Sequence, residues 1–472
     1  MKILLKSARI ITASDEFYGD ILINGEKIKA LGAGLESDGQ TEIIDCTGKF
    51  ITPAGVDVHT HFDLPMFGTV SSDDHYTGQK AAAFGGTTTV FDFISQDEPT
   101  LAESVHSWHD KADEKAAIDF GFHMNISHFD EAIAKEIPAL RDMGINSLKV
   151  FTAYNGRLRL GDGDIFRVLR IARDNRLLVM VHAENGDVID VLVNEALQAG
   201  HISPEWHALT RPADGAVESV FRAIQLAKQA QAPVYIVHMN TAGGVRLLKE
   251  AREQGLPVMG ETCPPYLFFT IDDLKKPDGA KWICSPPMRS LQDNQAIQKL
   301  LGEGVLQVMA TDHCPFFYDG TKPIVYEGSP IAIPGKELGK DDFTKITNGL
   351  PAVGDRMLLM WNYGVRKHMI TPQQFVAQHC TNPAKIFGIY PQKGTLLPGA
   401  DADLVIWEQD HPVTYGVGIA QHRTDYNLYE GWKLQDIISR VYLRGKLIVV
   451  DGQWMGAKGQ GRFLHCNDPQ VI

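Results

Sequence analysis

Short apolar segments alternate with amphipathic segments through the middle of the chain, and this alternation limits the possible folds more than any other feature of the sequence. The apolar segments have the length of buried strands, and the segments between them repeat apolar residues at helical spacing. Eight such units within about 290 residues predict an α/β fold, the (β/α)8 or TIM barrel. The candidate strands are residues 56–58, 87–93, 118–126, 147–153, 177–182, 233–238, 256–261 and 305–311. The clearest candidate helices are 129–144, 164–175, 216–231 and 243–255, and residues 183–213 are expected to add a helix followed by a loop.

The two ends of the chain have a different pattern, in which short strands are joined by tight turns such as Asn24-Gly25 and Arg444-Gly445. We therefore predict that both termini build one β-sandwich beside the barrel. The predicted domains are residues 1–52 for the N-terminal part of the sandwich, 53–390 for the (β/α)8 barrel, and 391–472 for the C-terminal part and tail.

Composition excludes several classes of partner. The net charge of −13 argues against nucleic acid, and no apolar run approaches the ~20 residues that span a bilayer. Lys2, Lys6 and Arg9 interrupt the first apolar segment, which favours a strand over a signal peptide. The six cysteines are scattered without a Cys-x-x-Cys pair, which predicts reduced thiols and a cytoplasmic protein.

Side chains of metal-ligand type stand at or near the ends of five candidate strands. They are His59 and His61, Lys149, His182, His238, and Asp312. Each alone has a common structural explanation, because most histidines after an apolar strand are hydrogen-bonded structural residues. A barrel, however, brings all its strand ends to one mouth, and alternate residues such as His59 and His61 point to the same side of a strand. The set therefore predicts a metal-dependent hydrolase.

Histidine and carboxylate ligands suit Zn²⁺, with Mn²⁺ and Co²⁺ as alternatives. Six ligands exceed the needs of one catalytic ion, so we predict two divalent ions per chain. Lys149 can join them only as a carbamate formed with CO₂, which would bridge ions ~3.5–4 Å apart. A bridging hydroxide would then be the nucleophile, and Asp312 would carry its proton to a leaving amide nitrogen.

Further segments complete a motif set that spans nearly the whole chain. They are residues 55–61, 147–151, 181–187, 260–264, 285–289, 311–314 and 342–345, with 394–404 and 426–431 in the C-terminal part. This set resembles the dihydropyrimidinase and D-hydantoinase family of the amidohydrolase superfamily. The resemblance implies a hydrolase that opens 5,6-dihydropyrimidines and 5-substituted hydantoins, which are cyclic ureides, to N-carbamoyl amino acids. It also implies a homotetramer or homodimer.

The resemblance assigns a role to each matching residue. It implies that one ion takes His59, His61, Lys149 and Asp312, and that the other takes Lys149, His182 and His238, with Lys149 as N6-carboxylysine. It implies that the Tyr154 hydroxyl polarises the scissile carbonyl and stabilises its oxyanion. The implied substrate contacts are the main chains of Ser285 and Asn348 for the ring amide, and Leu64, Met66, Phe151 and Leu158 for the ring substituent.

The chain departs from the family at Met66 and Leu158, where many relatives carry aromatic residues, and at residues 316–340, which are longer than the usual link. We expect this long segment to be irregular. Long irregular segments at a barrel mouth are often lids, and this one leaves the exact substrate open.

Three alternatives stay open. An allantoinase-like enzyme is one, and a dihydroorotase-like enzyme is a second. The dihydroorotase-like alternative agrees less well with the sequence, because Phe62-Asp63 stand where that enzyme places an arginine for its substrate carboxylate. The third is a non-catalytic interaction protein of the same fold. Such proteins lose metal ligands, whereas all six ligand-type residues are present here.

Overall fold

Eight parallel strands form the centre of the protein, in a computed structural model that describes residues 2–66 and 68–472. Each strand pairs with the next one along the chain, and a parallel bridge from Thr60 to His313 joins the segment after the last strand to the first strand. The predicted barrel is therefore confirmed. Its strands are β1 Gly55–Thr60, β2 Thr87–Ile94, β3 Asp119–Asn125, β4 Ser147–Phe151, β5 Leu178–His182, β6 Val234–Ile236, β7 Val258–Thr262 and β8 Val308–Met309.

The barrel strands are buried on both faces, as parallel strands are when helices cover the sheet. All residues of β2 are buried, and its Thr-Thr-Thr-Val-Phe run is rich in residues that favour strands. The covering helices bury one stripe each. In the helix Ala213–Ala230, the buried residues include Val220, Ala223 and Ala227, three or four positions apart.

Helices between and after the strands surround the barrel. Their bounds are α1 Thr77–Phe84, α2 Leu101–Ala112, α3 Glu131–Glu136, α4 Asp162–Asp174, α5 Gly186–Gln198, α6 Glu205–Leu209, α7 Ala213–Ala230, α8 Ala242–Glu253, α9 Pro264–Phe268, α10 Leu291–Gly302, α11 Arg356–Leu359, α12 Pro372–Val376, α13 Asn382–Ile386 and α14 Val417–Ala420. Among the described residues, none of these helices is long and apolar enough to cross a membrane.

Both termini contribute to one mixed sheet of nine strands, so the prediction that the two ends build a single β-region is confirmed. Lys49–Pro53 from the N-terminal part pairs with Leu404–Glu408 from the C-terminal part. The first strand, Lys2–Ile11, pairs with Thr41–Asp45 over its first half and with Lys49–Pro53 further on, so the sheet branches there. The remaining strands of the sheet are Glu16–Asn24, Lys27–Gly32, Ile437–Leu443, Lys446–Val450 and Gln453–Trp454.

The long segment 316–340 is more regular than its sequence suggested. Ile324–Tyr326 and Ser329–Ile331 pair as an antiparallel hairpin, so the prediction of an irregular segment was wrong there. Glu327 and Gly328 form its turn with φ values of 48° and 80°, and a two-residue turn of this kind matches the twist of paired strands. The Lys80 amine lies 2.5 Å from a Glu327 carboxylate oxygen and ties the hairpin tip to α1.

Candidate active site

All six predicted ligands lie at the same mouth of the barrel. His59 is in β1, Lys149 is in β4 and His182 ends β5, whereas His61, His238 and Asp312 follow their strands by one to three residues. His59, Lys149, His182 and His238 are buried, and His61 and Asp312 are partly exposed towards a cavity.

Three of these side chains form a compact group. The Nε2 atoms of His59 and His61 each lie 3.1 Å from Asp312 Oδ1, and potential ligand atoms of all three residues lie within 4.8 Å of one another. Such a group could hold a metal ion. The amine of Lys149 lies 3.0 Å from His59 Nε2, at the edge of this group.

Two further histidines form a second group beside the first. His182 Nδ1 lies 3.0 Å from His238 Nε2, and the rings of His59 and His238 are 5.4 Å apart. Burial lowers the pKa of His182 and, more strongly, that of His238, which favours the neutral imidazole that ligates metals. His238 Nδ1 is buried without a hydrogen-bond partner among the described residues, so one polar atom of this group is left unsatisfied.

Two carboxylates, those of Glu261 and Glu184, each contact a ring nitrogen of one histidine. Glu261 in β7 contacts His59 Nδ1, and it also accepts hydrogen bonds from the Tyr235 hydroxyl at 2.8 Å and the His238 main-chain N–H at 3.2 Å. Glu184 Oε2 lies 3.0 Å from His182 Nε2. A carboxylate on the far nitrogen orients a histidine ligand, so each group has its own orienting acid. The sequence analysis assigned no role to either glutamate. The available signal was an acid inside an apolar strand, as for Glu261, or two residues after one, as for Glu184.

The pKa values of Lys149 and Asp312 are both lowered in the site, but for different reasons. Burial lowers the pKa of Lys149 to about 8, although the Asp312 carboxylate acts in the opposite direction. Burial works against ionisation of Asp312 as well, yet His59, His61 and His238 hold the pKa of this carboxyl well below its ordinary value. Asp312 is therefore ionised at neutral pH.

A cavity of about 220 Å³ opens above the two histidine groups. Its wall contains all seven residues that the resemblance implied for the substrate, namely Leu64, Met66, Phe151, Tyr154, Leu158, Ser285 and Asn348. The sequence analysis missed other lining residues, which are Pro65, Ser95, Asp97, Asn125, Arg157, Cys284, Cys314 and Gly349. Ser95 follows β2 and Asn125 ends β3, the same strand-end position that identified the ligands. No described residue of 316–340 lines the cavity.

Three site residues have a left-handed backbone, with φ values of 68° for Tyr154, 36° for His238 and 53° for Asp312. This conformation is uncommon for residues with a side chain, and such strain clusters at functional sites. Burial also raises the pKa of Tyr154, so its hydroxyl keeps its proton and can donate a hydrogen bond into the cavity.

Known proteins similar to this chain match it along nearly its whole length. Residues 50–448 match the sequence profile of the Amidohydrolase family. D-hydantoinases of Geobacillus stearothermophilus and Streptomyces coelicolor are 42% and 40% identical to the chain, each over 98% of its length and over 96% and 97% of their own. The crystal structure of a dihydropyrimidinase from Brevibacillus agri NCHU1002 superposes with a TM-score of 0.95 at 41% identity and covers 100% of both chains.

Proposed function

The chain belongs to the amidohydrolase family, and on that premise we propose that it hydrolyses the amide bond of cyclic ureides such as 5,6-dihydropyrimidines and 5-substituted hydantoins. The products would be N-carbamoyl amino acids. The observation that carries the proposal is the convergence of four histidines, an aspartate and a buried lysine below a cavity with an apolar wall. The relatives named D-hydantoinase and dihydropyrimidinase support the same substrate class.

The donor set fits two divalent ions. The His59, His61 and Asp312 group is compact enough for one ion, and the unpartnered His238 Nδ1 indicates a polar site still to be satisfied beside it. His59, His61 and Asp312 would hold one ion and His182 and His238 the other. Lys149 would be a ligand of both ions after its amine adds CO₂ and loses a proton to form a carbamate. Zn²⁺ suits these ligands, with Mn²⁺ and Co²⁺ as alternatives. When bound, such ions lower the pKa of water and polarise a carbonyl oxygen.

Two side chains would carry the remaining chemistry. Asp312 would accept the proton of the attacking water and return it to the leaving ring nitrogen. The Tyr154 hydroxyl would donate to the carbonyl oxygen, where negative charge develops in the transition state. Both residues line the cavity, with Asp312 ionised and Tyr154 protonated at neutral pH, as these two roles require.

The cavity wall would select the substrate. The main chains of Ser285 and Asn348 would bind the ring amide, and Leu64, Met66, Phe151 and Leu158 would face an apolar substituent. A ring that carries a carboxylate, as in dihydroorotate, is the second candidate, because Arg157 also lines the cavity, together with Asp97. A neutral ring is favoured because residues 59–65 contain no arginine or lysine.

Purified, metal-loaded protein tests the proposal on dihydrouracil, several 5-substituted hydantoins, allantoin and dihydroorotate, with chelator-treated protein as the control. We expect ring opening of dihydrouracil or a hydantoin and its loss after metal removal. Faster turnover of allantoin or dihydroorotate than of every other ring would contradict the substrate assignment. Homo-oligomer formation and a cytoplasmic location stay predictions.

A further inference from the structure

Lys336 is a buried lysine that the proposed mechanism does not use. It begins a single 3-10 turn, Lys336–Gly339, at the end of the long segment 316–340, and only 1% of its surface is exposed. Its Nζ atom donates hydrogen bonds to the main-chain oxygens of Ile283 at 3.0 Å and Thr347 at 2.8 Å.

These two carbonyls belong to different walls of the cavity. Ile283 lies two residues before Ser285, and Thr347 lies directly before Asn348. Both walls line the cavity through residues 284–285 and 348–349. Apart from the amine, one main-chain hydrogen bond, from Gly349 N–H to the Ile283 oxygen at 3.1 Å, links the two walls. One side chain therefore joins the two segments whose main chains are proposed to bind the substrate ring.

We propose that Lys336 is a positioning residue that sets the distance between the two main chains that bind the substrate ring. This inference rests on the proposed function, in which Ser285 and Asn348 bind the ring amide. It also gives the long segment a role at the site. No described residue of the segment lines the cavity, and the segment contacts the two walls through the Lys336 amine.

The turn that carries Lys336 is held in place by close backbone packing. The Lys336 N–H donates to the Phe317 oxygen at 2.7 Å. A Cβ atom on Gly335 would lie 2.1 Å from that same oxygen, and one on Gly339 would lie 2.1 Å from the Ile346 nitrogen. Glycine is required at both positions because any side chain would push the turn outward. The amine is thus delivered to a defined point.

The chemistry of the amine suits this role. Burial lowers the pKa of Lys336 to about 7. The charged form has three N–H donors and the neutral form has two, so either can serve both carbonyls. An amine buried in this way is costly unless it is hydrogen-bonded, and the two carbonyls supply its partners.

The variant Lys336→Met tests the inference, because it keeps an unbranched side chain and removes every donor. Lys340→Met, at an exposed lysine four residues further along, is the matched control. We expect Lys336→Met to lower kcat/KM for dihydrouracil or a hydantoin by roughly 10- to 10²-fold, the size expected from misplacing a substrate. The loss should fall mainly on KM, and the metal content should equal that of the parent enzyme. Amide hydrogen exchange should accelerate at residues 283–285 and 347–349, and Lys340→Met should match the parent in every respect.

Parent-like KM and exchange in Lys336→Met would overturn the inference. Accelerated exchange spread over the whole barrel, or loss of bound metal, would also overturn it, because Lys336 would then be a general stabilising residue. An inactive parent enzyme would instead contradict the proposed function, and the exchange measurement would still decide whether Lys336 holds the two walls. Should Lys336→Met not fold, Lys336→Gln keeps N–H donors on a shorter chain. Lys336→Gln should raise KM above the parent value, and a parent-like KM would again overturn the inference.

Discussion

Two buried lysines at opposite ends of the barrel show how different partners give the same residue type different uses. Lys149 at the mouth and Lys393 at the other end are 2% and 1% exposed. The Lys393 amine has three carboxylate neighbours, Asp119 at 2.5 Å, Asp403 at 2.8 Å and Asp401 at 3.1 Å. The Lys149 amine lies 3.0 Å from an imidazole nitrogen and 4.1 Å from the centre of the Phe93 ring.

The difference lies in how completely each charge is compensated. Asp119 begins β3, and Asp401 and Asp403 adjoin the terminal sheet, so the Lys393 cluster joins the barrel to that sheet. An amine held by three carboxylates in this way serves structure. No such set of carboxylates surrounds Lys149 among residues 2–66 and 68–472, and its lowered pKa makes an uncharged, reactive amine accessible. Burial alone therefore does not distinguish a lysine with a structural role from a lysine whose amine can react.

Replacement of Lys149 should have the largest effect. In Lys149→Ala, kcat/KM should fall by more than the roughly 10²–10³-fold that loss of a single oxyanion donor costs, because the proposed shared ligand of two ions would be removed. Metal analysis should give clearly fewer ions per chain than the parent, and short carboxylic acids should restore part of the activity. Mass spectrometry of intact parent protein should show CO₂ on Lys149. A parent with one ion and an unmodified lysine would contradict the bridged site.

The second expected effect is at Asp312. Asp312→Asn should lower kcat by roughly 10²–10⁴-fold, since an amide cannot carry the proton between water and leaving nitrogen. Most of the metal should remain bound, because the histidine ligands are intact, and metal analysis beside the kinetics checks this. A near-parental rate would mean that another group performs the acid–base step.

Loss of the Tyr154 hydroxyl should have a similar or slightly smaller effect. Tyr154→Phe should reduce kcat by about 10²–10³-fold, the usual consequence of deleting one oxyanion donor. Steady-state kinetics separate the two possible roles. A change confined to KM would make Tyr154 a ground-state binding residue and remove it from the transition state.

The orienting carboxylate Glu261 gives a smaller, indirect effect. Glu261→Gln should weaken metal binding by ~10- to 100-fold, measured by competition with a chelator, because the amide holds the His59 ring less firmly. Tyr235→Phe is the matched control, since it removes only the 2.8 Å hydrogen bond on the other carboxylate oxygen. Equal metal affinity in both variants would show that Glu261 does not position the ligand.

The smallest effect on catalysis is expected at Lys393. Lys393→Met should cost about 3–5 kcal/mol of unfolding free energy, because three buried carboxylates lose their shared cation. The kcat/KM of the folded fraction should stay at the parent value. Lys27→Met removes a half-exposed partner of Asp401 and should cost at most about 1 kcal/mol in the same denaturation experiment. Loss of activity without loss of stability in Lys393→Met would break the contrast between the two lysines.

Most of the barrel was predictable because strand and helix periodicity are local properties. All eight predicted strands are present, although β6 and β8 are shorter than expected. The hairpin of residues 324–331 was missed because its strands have three residues each. A Glu-Gly turn with both residues at positive φ is also a weaker signal than Asn-Gly.

The six candidate ligands could be found from the sequence because a parallel barrel brings all strand ends to one mouth, whatever the details of packing. The residues that hold the site in place through hydrogen bonds could not be found from the sequence. His59 and Glu261 are 202 residues apart, and Lys336 meets Ile283 across 53 residues. Such contacts depend on how neighbouring strands and loops pack, and no local pattern encodes them.

The sequence by itself therefore determined the barrel, the candidate ligands at the strand ends and the apolar residues of the cavity wall. Only the tertiary structure decided which buried lysine is fully paired, which carboxylates orient the histidines, and which amine joins the two cavity walls. The physical reason is the separation of the interacting residues along the chain. Strand and helix periodicity depends on residues that are near neighbours in sequence, whereas burial and hydrogen bonding depend on atoms that only the folded chain brings together.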